Sequence, residues 1–205
     1  MTPEEVEEFE RAIAAGGVGL FPADTVYGLA CDPESSSAVE RLFALKGRPA
    51  TQPAAVMFFT RDSALPSLTD LGDRTRAAAE RLLPGPFTLL VPNAAHAFPL
   101  ACGPQPEHLG IRVPALDGAL AQLAALARPV LQSSANPSGG PDPRRLDDVD
   151  EAIRRGADAV LDGGELPGRP STVVDLTRFE ETGTFEVVRE GAVATRRVAE
   201  LLGIV

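Results

Sequence analysis

The chain has no tryptophan, one tyrosine, two cysteines and two histidines in 205 residues, and Lys46 is its one lysine. Each scarcity excludes a chemistry. Cys31 and Cys102 stand far apart without a CxxC or a Cys/His cluster, which leaves neither a zinc-ligand pattern nor a disulfide framework. His96 and His108 fall in proline-rich loop sequence and read as solvated side chains, so no metal site is expected. Long apolar runs are missing too: none approaches the roughly 18 residues of a membrane span, and the acidic start MTPEEVEEFE is wrong for a secretory or organellar leader. A cytoplasmic protein without membrane association is expected. The formal charge of −10 argues against a broad basic surface for nucleic acid, because such binding depends on Lys and Arg neutralising many phosphates. Local cationic pockets stay open.

What is present is a chain 44% apolar, long enough to bury a substantial core as a single domain over residues 1–205. Thr2, Pro3 and Glu5 form a helix start with a capping box, and Val6, Phe9 and Ile13 recur at helical spacing until Gly16 and Gly17. GVGLF reads as a strand. A second helix runs from about Ser36 through Val39, Leu42, Phe43 and Lys46 and is broken by Gly47 and Pro49. AAVMFF, FTLLVP, LGIRVP, RPVLQ, DAVLDGG, STVVDL and TFEVVRE supply further strands, with helices at RTRAAAERLL, ALDGALAQLAALA, RRLDDVDEAIRRG and TRRVAELLG. The alternation predicts an α/β domain around one sheet, covered on both faces in its middle. Successive late strands predict some antiparallel pairing. GGELPGRP, Gly163 to Pro170, reads as a mobile loop or lid.

Common nucleotide and nucleophile signatures are missing: no GxxxxGK[ST], no GxGxxG after a strand, no GxSxG. Instead, polar clusters close the apolar strands: PADTVYG, KGRP, GIRVP, SSANPSGG, GRPST and VVREG. Strand ends are where sheet-based folds gather sites. Singly, each has a plain structural reading. KGRP suits a helix C-terminus, where an exposed Lys46 would be worth only about 0.5 kcal/mol. SSANPSGG is rich in turn formers, and Arg112 suits an edge position reaching for water. Together they offer four cations, Lys46, Arg48, Arg112 and Arg189, with hydroxyl and amide donors, a set suited to a polyphosphate. Against so many arginines, the compact ammonium of Lys46 suits a crowded position between phosphate oxygens.

These residues carry a resemblance. FPADTVYGLACDP, LFALKGRPATQP, LLPGPFTLLVP, GIRVP, SSANPSGG, STVVDLT and VVREGAV occur in the order seen in the Sua5/YrdC/TsaC family of threonylcarbamoyl-AMP synthases. They include the K-x-R pair Lys46 and Arg48 and the S-x-N pair Ser134 and Asn136. The chain resembles the short, single-domain form. Ala23 stands where the family's opening motif usually carries Thr, and Leu83 where it carries Trp.

The resemblance implies a YrdC-like twisted mixed sheet flanked by helices, with a concave substrate pocket. It implies that L-threonine, bicarbonate and ATP yield threonylcarbamoyl-AMP and pyrophosphate for N6-threonylcarbamoyladenosine in tRNA. ATP would be a substrate, and Mg2+ would be bound through the nucleotide. A downstream threonylcarbamoyl-transferase complex would be the partner, with a weak direct tRNA contact left open. By matching positions, Lys46 and Arg48 would be catalytic and contact the phosphates. Ser134, Asn136, Ser171, Thr172 and Arg189 would complete the ATP site. Thr25, Tyr27 and Arg112 would form the threonine site, with Arg112 as a bidentate carboxylate clamp. A carbamoyl-adenylating relative, like the YrdC-like domain of hydrogenase-maturation proteins, and a nucleotide- or RNA-binding module acting in translation are the alternatives.

Overall fold

A computed structural model describes residues 1–49 and 51–204. Helix α1 (Pro3–Ala14) opens on the anticipated capping box, Thr2 Oγ1 accepting the Glu5 N–H while Glu5 accepts the Thr2 N–H, and it buries Val6, Phe9 and Ile13. Strands β1 (Gly19–Pro22) and β2 (Tyr27–Cys31) pair antiparallel from Pro22↔Tyr27 to Gly19↔Ala30, so residues 23–26 form a hairpin tip. Helix α2 (Ser36–Lys46) is capped by Ser35 and stopped by Gly47, whose φ of 60° is the left-handed conformation glycine adopts without strain.

Beyond it come β3 (Ala55–Met57), α3 (Arg61–Leu68), α4 (Asp73–Leu82), β4 (Phe87–Pro92), α5 (Pro99–Cys102), β5 (His108–Arg112) and β6 (Val130–Ser134). The chain closes with α6 (Glu151–Gly156), β7 (Ala159–Val160), β8 (Thr172–Asp175), α7 (Phe179–Thr182), β9 (Glu186–Arg189) and α8 (Thr195–Leu202). The nine strands among the described residues join one mixed sheet in the order β7-β1-β2-β6-β3-β5-β4-β8-β9. β1/β7, β3/β5 and β4/β8 are parallel, and the remaining pairs are antiparallel. No described helix is long and apolar enough to cross a membrane.

Several expectations are corrected. ALDGALAQLAALA forms a 3-10 helix over Gly118–Ala125 in place of an α-helix, and RRLDDVDEAIRRG splits into a short 3-10 turn and α6. The sheet is not covered on both faces, because its central strands floor an open cleft. The segment 163–170 is tied down: Leu166 N–H donates to Arg144 O and Gly168 N–H to Thr25 O, each at 2.9 Å, and Leu166 is buried.

One contact between helices makes a stability prediction. Helix α4 has glycine at its N-cap, and the cap is supplied from α7, where Glu180 accepts the Thr75 N–H at 2.9 Å. A Cβ on Gly72 would stand 2.2 Å from Glu180 Cδ. Gly72→Ala and Glu180→Ala should each lower stability by about 1–2 kcal/mol, through the same lost cap. Thermal melts of both variants and their double test this, since shared cause predicts a double variant no worse than the poorer single. Additive losses would show two separate effects.

Candidate functional site: a cationic cleft on the open sheet face

Strand register decides which side chains meet. Gln132, Ala55, Gly110 and Leu90 stand in one row across β6, β3, β5 and β4. Side chains alternate along a strand, so Ser134 and Arg112, two residues on, share that face. Thr88 pairs with Val173 on β8, and Val173 with Arg189 on β9. These residues floor a cleft of about 530 Å³, within the range of small-molecule sites. A register shift between Val173 and Val174 leaves Val188 as an extra residue on β9, and this bulge brings both Val188 and Arg189 to the cleft.

The cleft gathers Lys46, Arg48, Arg112 and Arg189, against a single carboxylate, Asp142, in a chain whose formal charge is −10. Concentrating cations in a concavity of an acidic protein focuses the field on an incoming anion. Lys46 is not the exposed helix-end residue expected from sequence; it is 4% exposed. Its Nζ donates to Ser134 O, to Asn136 O at 2.8 Å and to Asn136 Oδ1 at 3.1 Å. All three ammonium protons thus brace the end of β6. Burial, then the neighbouring Arg48, lowers the Lys46 ammonium to about 8, while Asp142 pulls the other way. Arg48 lies over the Phe43 ring at 5.3 Å and donates to Ser133 Oγ at 3.0 Å and to Pro53 O. Its buried Nε has no partner among the described residues.

The S-x-N turn at the end of β6 stands directly against Lys46, and the start of β8 lies on the other side of the cleft, beyond β3, β5 and β4. Ser134 Oγ donates to Asn136 Oδ1 at 2.6 Å, and Asn136 Nδ2 donates to Gly140 O at 2.6 Å. Ser171 Oγ lies 2.8 Å from Thr88 Oγ1, and Arg189 donates to both Ser171 O at 2.8 Å and Ser171 Oγ at 3.2 Å. Arg112, far from an edge, sits on the interior strand β5 and forms a buried ion pair with Asp24 at 2.7 Å. Desolvation pushes Asp24 up and Arg112 down, and their attraction opposes both shifts.

Three residues expected at the site are absent from the cleft lining. Thr172 neighbours the inward Val173 and so points to the other face, where its hydroxyl donates to Val193 O at 2.7 Å and accepts the Gly191 and Val193 N–H groups. That hydroxyl is fully used inside the protein. Tyr27, beside the inward Gly28, is fully buried; its hydroxyl meets Asp162 Oδ1 at 2.7 Å and Gly164 O at 3.0 Å and accepts the Gly163 N–H. It anchors the 163–170 segment and is absent from the cleft lining. Thr25 is buried and reaches the cleft only through Arg112, whose guanidinium it accepts at 3.2 Å. Arg112 presents no open fork either. Three of its five N–H groups go to Gln132, Asp24 and Thr25, leaving one on Nη1 and the buried Nε–H without a partner among the described residues.

Ala23 is buried in the core, so the missing hydroxyl there does not alter the cleft wall. Conversely, His108, read as solvated, lines the cleft, as do Gln132, Thr88 and Asp142, which sequence reasoning missed. Alternation was the available signal: Gln132 precedes Ser134 by two, and Thr88 is the one hydroxyl in the apolar run FTLLVP. No group of three metal-ligating side chains occurs among the described residues.

The Sua5_yciO_yrdC family profile, described as Telomere recombination, matches residues 11–191. The Threonylcarbamoyl-AMP synthase of Pyrococcus abyssi is 31% identical over 98% of this chain, which spans 59% of that protein's length. That of Chromohalobacter salexigens is 35% identical over 87% of the chain and 96% of its own length. The crystal structure of P. abyssi Sua5 complexed with L-threonine superposes with a TM-score of 0.85 at 28% identity, over the whole chain and 59% of that structure. A profile match over most of the chain, a relative nearly as long as the chain and a shared mixed sheet converge: the chain belongs to the Sua5/YciO/YrdC family.

Proposed function

We propose that this chain is a threonylcarbamoyl-AMP synthase, carried by one YrdC-like domain, that joins L-threonine, bicarbonate and ATP into threonylcarbamoyl-AMP and pyrophosphate. The observation that carries the reading is the cleft with four cations and one carboxylate, in a chain 35% identical to a protein named for this product. The threonine amine takes up the bicarbonate carbon with loss of water. An oxygen of the resulting carbamate attacks the α-phosphorus of ATP, and pyrophosphate leaves. Such a step needs positioning and charge stabilisation and no protein nucleophile, which fits a site where cations outnumber every other charged group.

In this reading Arg48 and Arg189 hold phosphate oxygens, joined by Lys46 when a charged phosphate oxygen replaces one of its carbonyl acceptors. Ser134 and Asn136 on one side and Ser171 on the other contact the nucleotide, and Arg112 takes a threonine carboxylate oxygen. The lone carboxylate Asp142 does not make a divalent-cation cage, so Mg2+ would come with the nucleotide phosphates. The adenylate product is consumed by a threonylcarbamoyl transfer to tRNA. ATP-to-pyrophosphate exchange with each substrate omitted in turn, together with mass analysis of the adduct, tests the activity. Exchange that requires both threonine and bicarbonate is expected; exchange indifferent to either overturns the reading.

A further inference from the structure

Two chain segments converge on the Arg112 guanidinium. Asp24 and Thr25 of the β1–β2 tip accept from one terminal nitrogen, at 2.7 and 3.2 Å, and Gln132 of β6 accepts from the other at 3.0 Å. Asp24 is itself fixed, because its second carboxylate oxygen accepts the Ala115 N–H at 3.2 Å. The paired side chains are only 4% and 5% exposed. Gly28 gives Gln132 its room, since a Cβ there would stand 2.9 Å from the amide nitrogen. Asp24 does not line the cleft, whereas Arg112 does.

The charge arithmetic of the cleft follows. Among the described residues Lys46, Arg48 and Arg189 form no ion pair and share one nearby carboxylate, Asp142, but Arg112 arrives already balanced by a buried carboxylate. Its two remaining N–H groups, on Nε and Nη1, are therefore donors held in place with little net charge behind them. A phosphate dianion gains most from unbalanced cations, whereas one carboxylate oxygen of a zwitterion needs chiefly an aimed donor. We propose that Asp24 is a positioning residue that neutralises and aims Arg112, reserving this part of the cleft for the carboxylate of a zwitterionic amino acid and excluding a further phosphate. This rests on the reading of the cleft as an amino-acid adenylating site.

The test measures KM for L-threonine and for ATP, and competition by inorganic phosphate against L-threonine, in wild type, Asp24→Asn and Asp24→Glu. Asp24→Asn should raise KM for L-threonine about tenfold, with KM for ATP moving less than about twofold, and inorganic phosphate should become about a tenfold better competitor. Asp24→Glu keeps the charge and shifts the aim, so KM for L-threonine should rise while phosphate inhibition stays at the wild-type level. It also decides the case if the unpaired Arg112 keeps Asp24→Asn from folding. Unchanged threonine KM in a folded variant, or equal rises in both KM values, overturns the proposal. A wild type that forms no adenylate with threonine overturns the functional reading and this proposal with it, so the two failures are distinct.

Discussion

Lys46→Met should lower kcat/KM for ATP about 100- to 1,000-fold, the size seen when one preorganised charge donor is lost from a site where charge develops. The variant should stay folded. Methionine fills the channel of the lysine stem, and removing the ammonium relieves the cost of burying it. Against that gain, Ser134 O and Asn136 O lose their donor, at about 1–3 kcal/mol, so a net loss near 1–2 kcal/mol is expected. The pH profile of the wild type separates an electrostatic role from a bracing one. With the folded-state ammonium at about 8, the cation is present below that pH and lost above it, so kcat/KM for ATP should fall from about pH 8 upward.

Stability moves the other way. Below pH 8 the proton is held in both folded and unfolded chains, and between about 8 and the ordinary 10.5 only the unfolded chain holds it, so this group's contribution to stability rises with pH there. Activity falling while the melting temperature holds or rises identifies Lys46 as a working cation. A profile flat from about pH 7 to 9.5 would show that the ammonium takes no part in the chemistry.

How much of this was legible depends on the range of the physics involved. The starts of α1 and α2 were, because Thr2 and Ser35 cap within three residues of themselves. The β2 strand was not: YGLAC is five residues long and follows polar residues, and only pairing on both sides with β1 and β6 makes it a strand. Helix α3 was hidden by Pro66 within it, and the α-helix-like apolar pattern over Gly118–Ala125 settled into a 3-10 helix. At the site, residue type was readable and direction was not. Lys46 and Ser134 are 88 positions apart, and their contact follows from where β6 ends relative to α2. Ser171 and Thr172 are chemically alike and adjacent, but register with β4 turns one into the cleft and the other into a backbone clasp.

That clasp sets up the second large effect, Gly191→Ala. The chain leaving β9 crosses the entry to β8 so closely that a Cβ on Gly191 would stand 2.2 Å from Pro170 O and 2.6 Å from Ser171 O. Both obstacles are backbone, so neither can swing aside. The crossing is fastened on each side, by Ala192 N–H to Pro170 O at 2.8 Å and by Gly191 N–H to Thr172 Oγ1 at 3.1 Å. Relief must therefore displace Ser171, and with it the Arg189 guanidinium bound to its carbonyl and hydroxyl. Overpacking of this kind costs about 1–3 kcal/mol. KM for ATP should rise at least about tenfold if Ser171 and Arg189 hold phosphate. Gly164→Ala is the matched control. Its φ of 77° strains an alanine by about 1–2 kcal/mol, yet a Cβ there meets nothing within 4 Å. Comparable melting temperatures with a raised ATP KM only in Gly191→Ala would tie the crossing to nucleotide binding. Equal ATP KM values in the two variants would remove Ser171 and Arg189 from the phosphate site and leave Lys46 and Arg48 to hold the nucleotide.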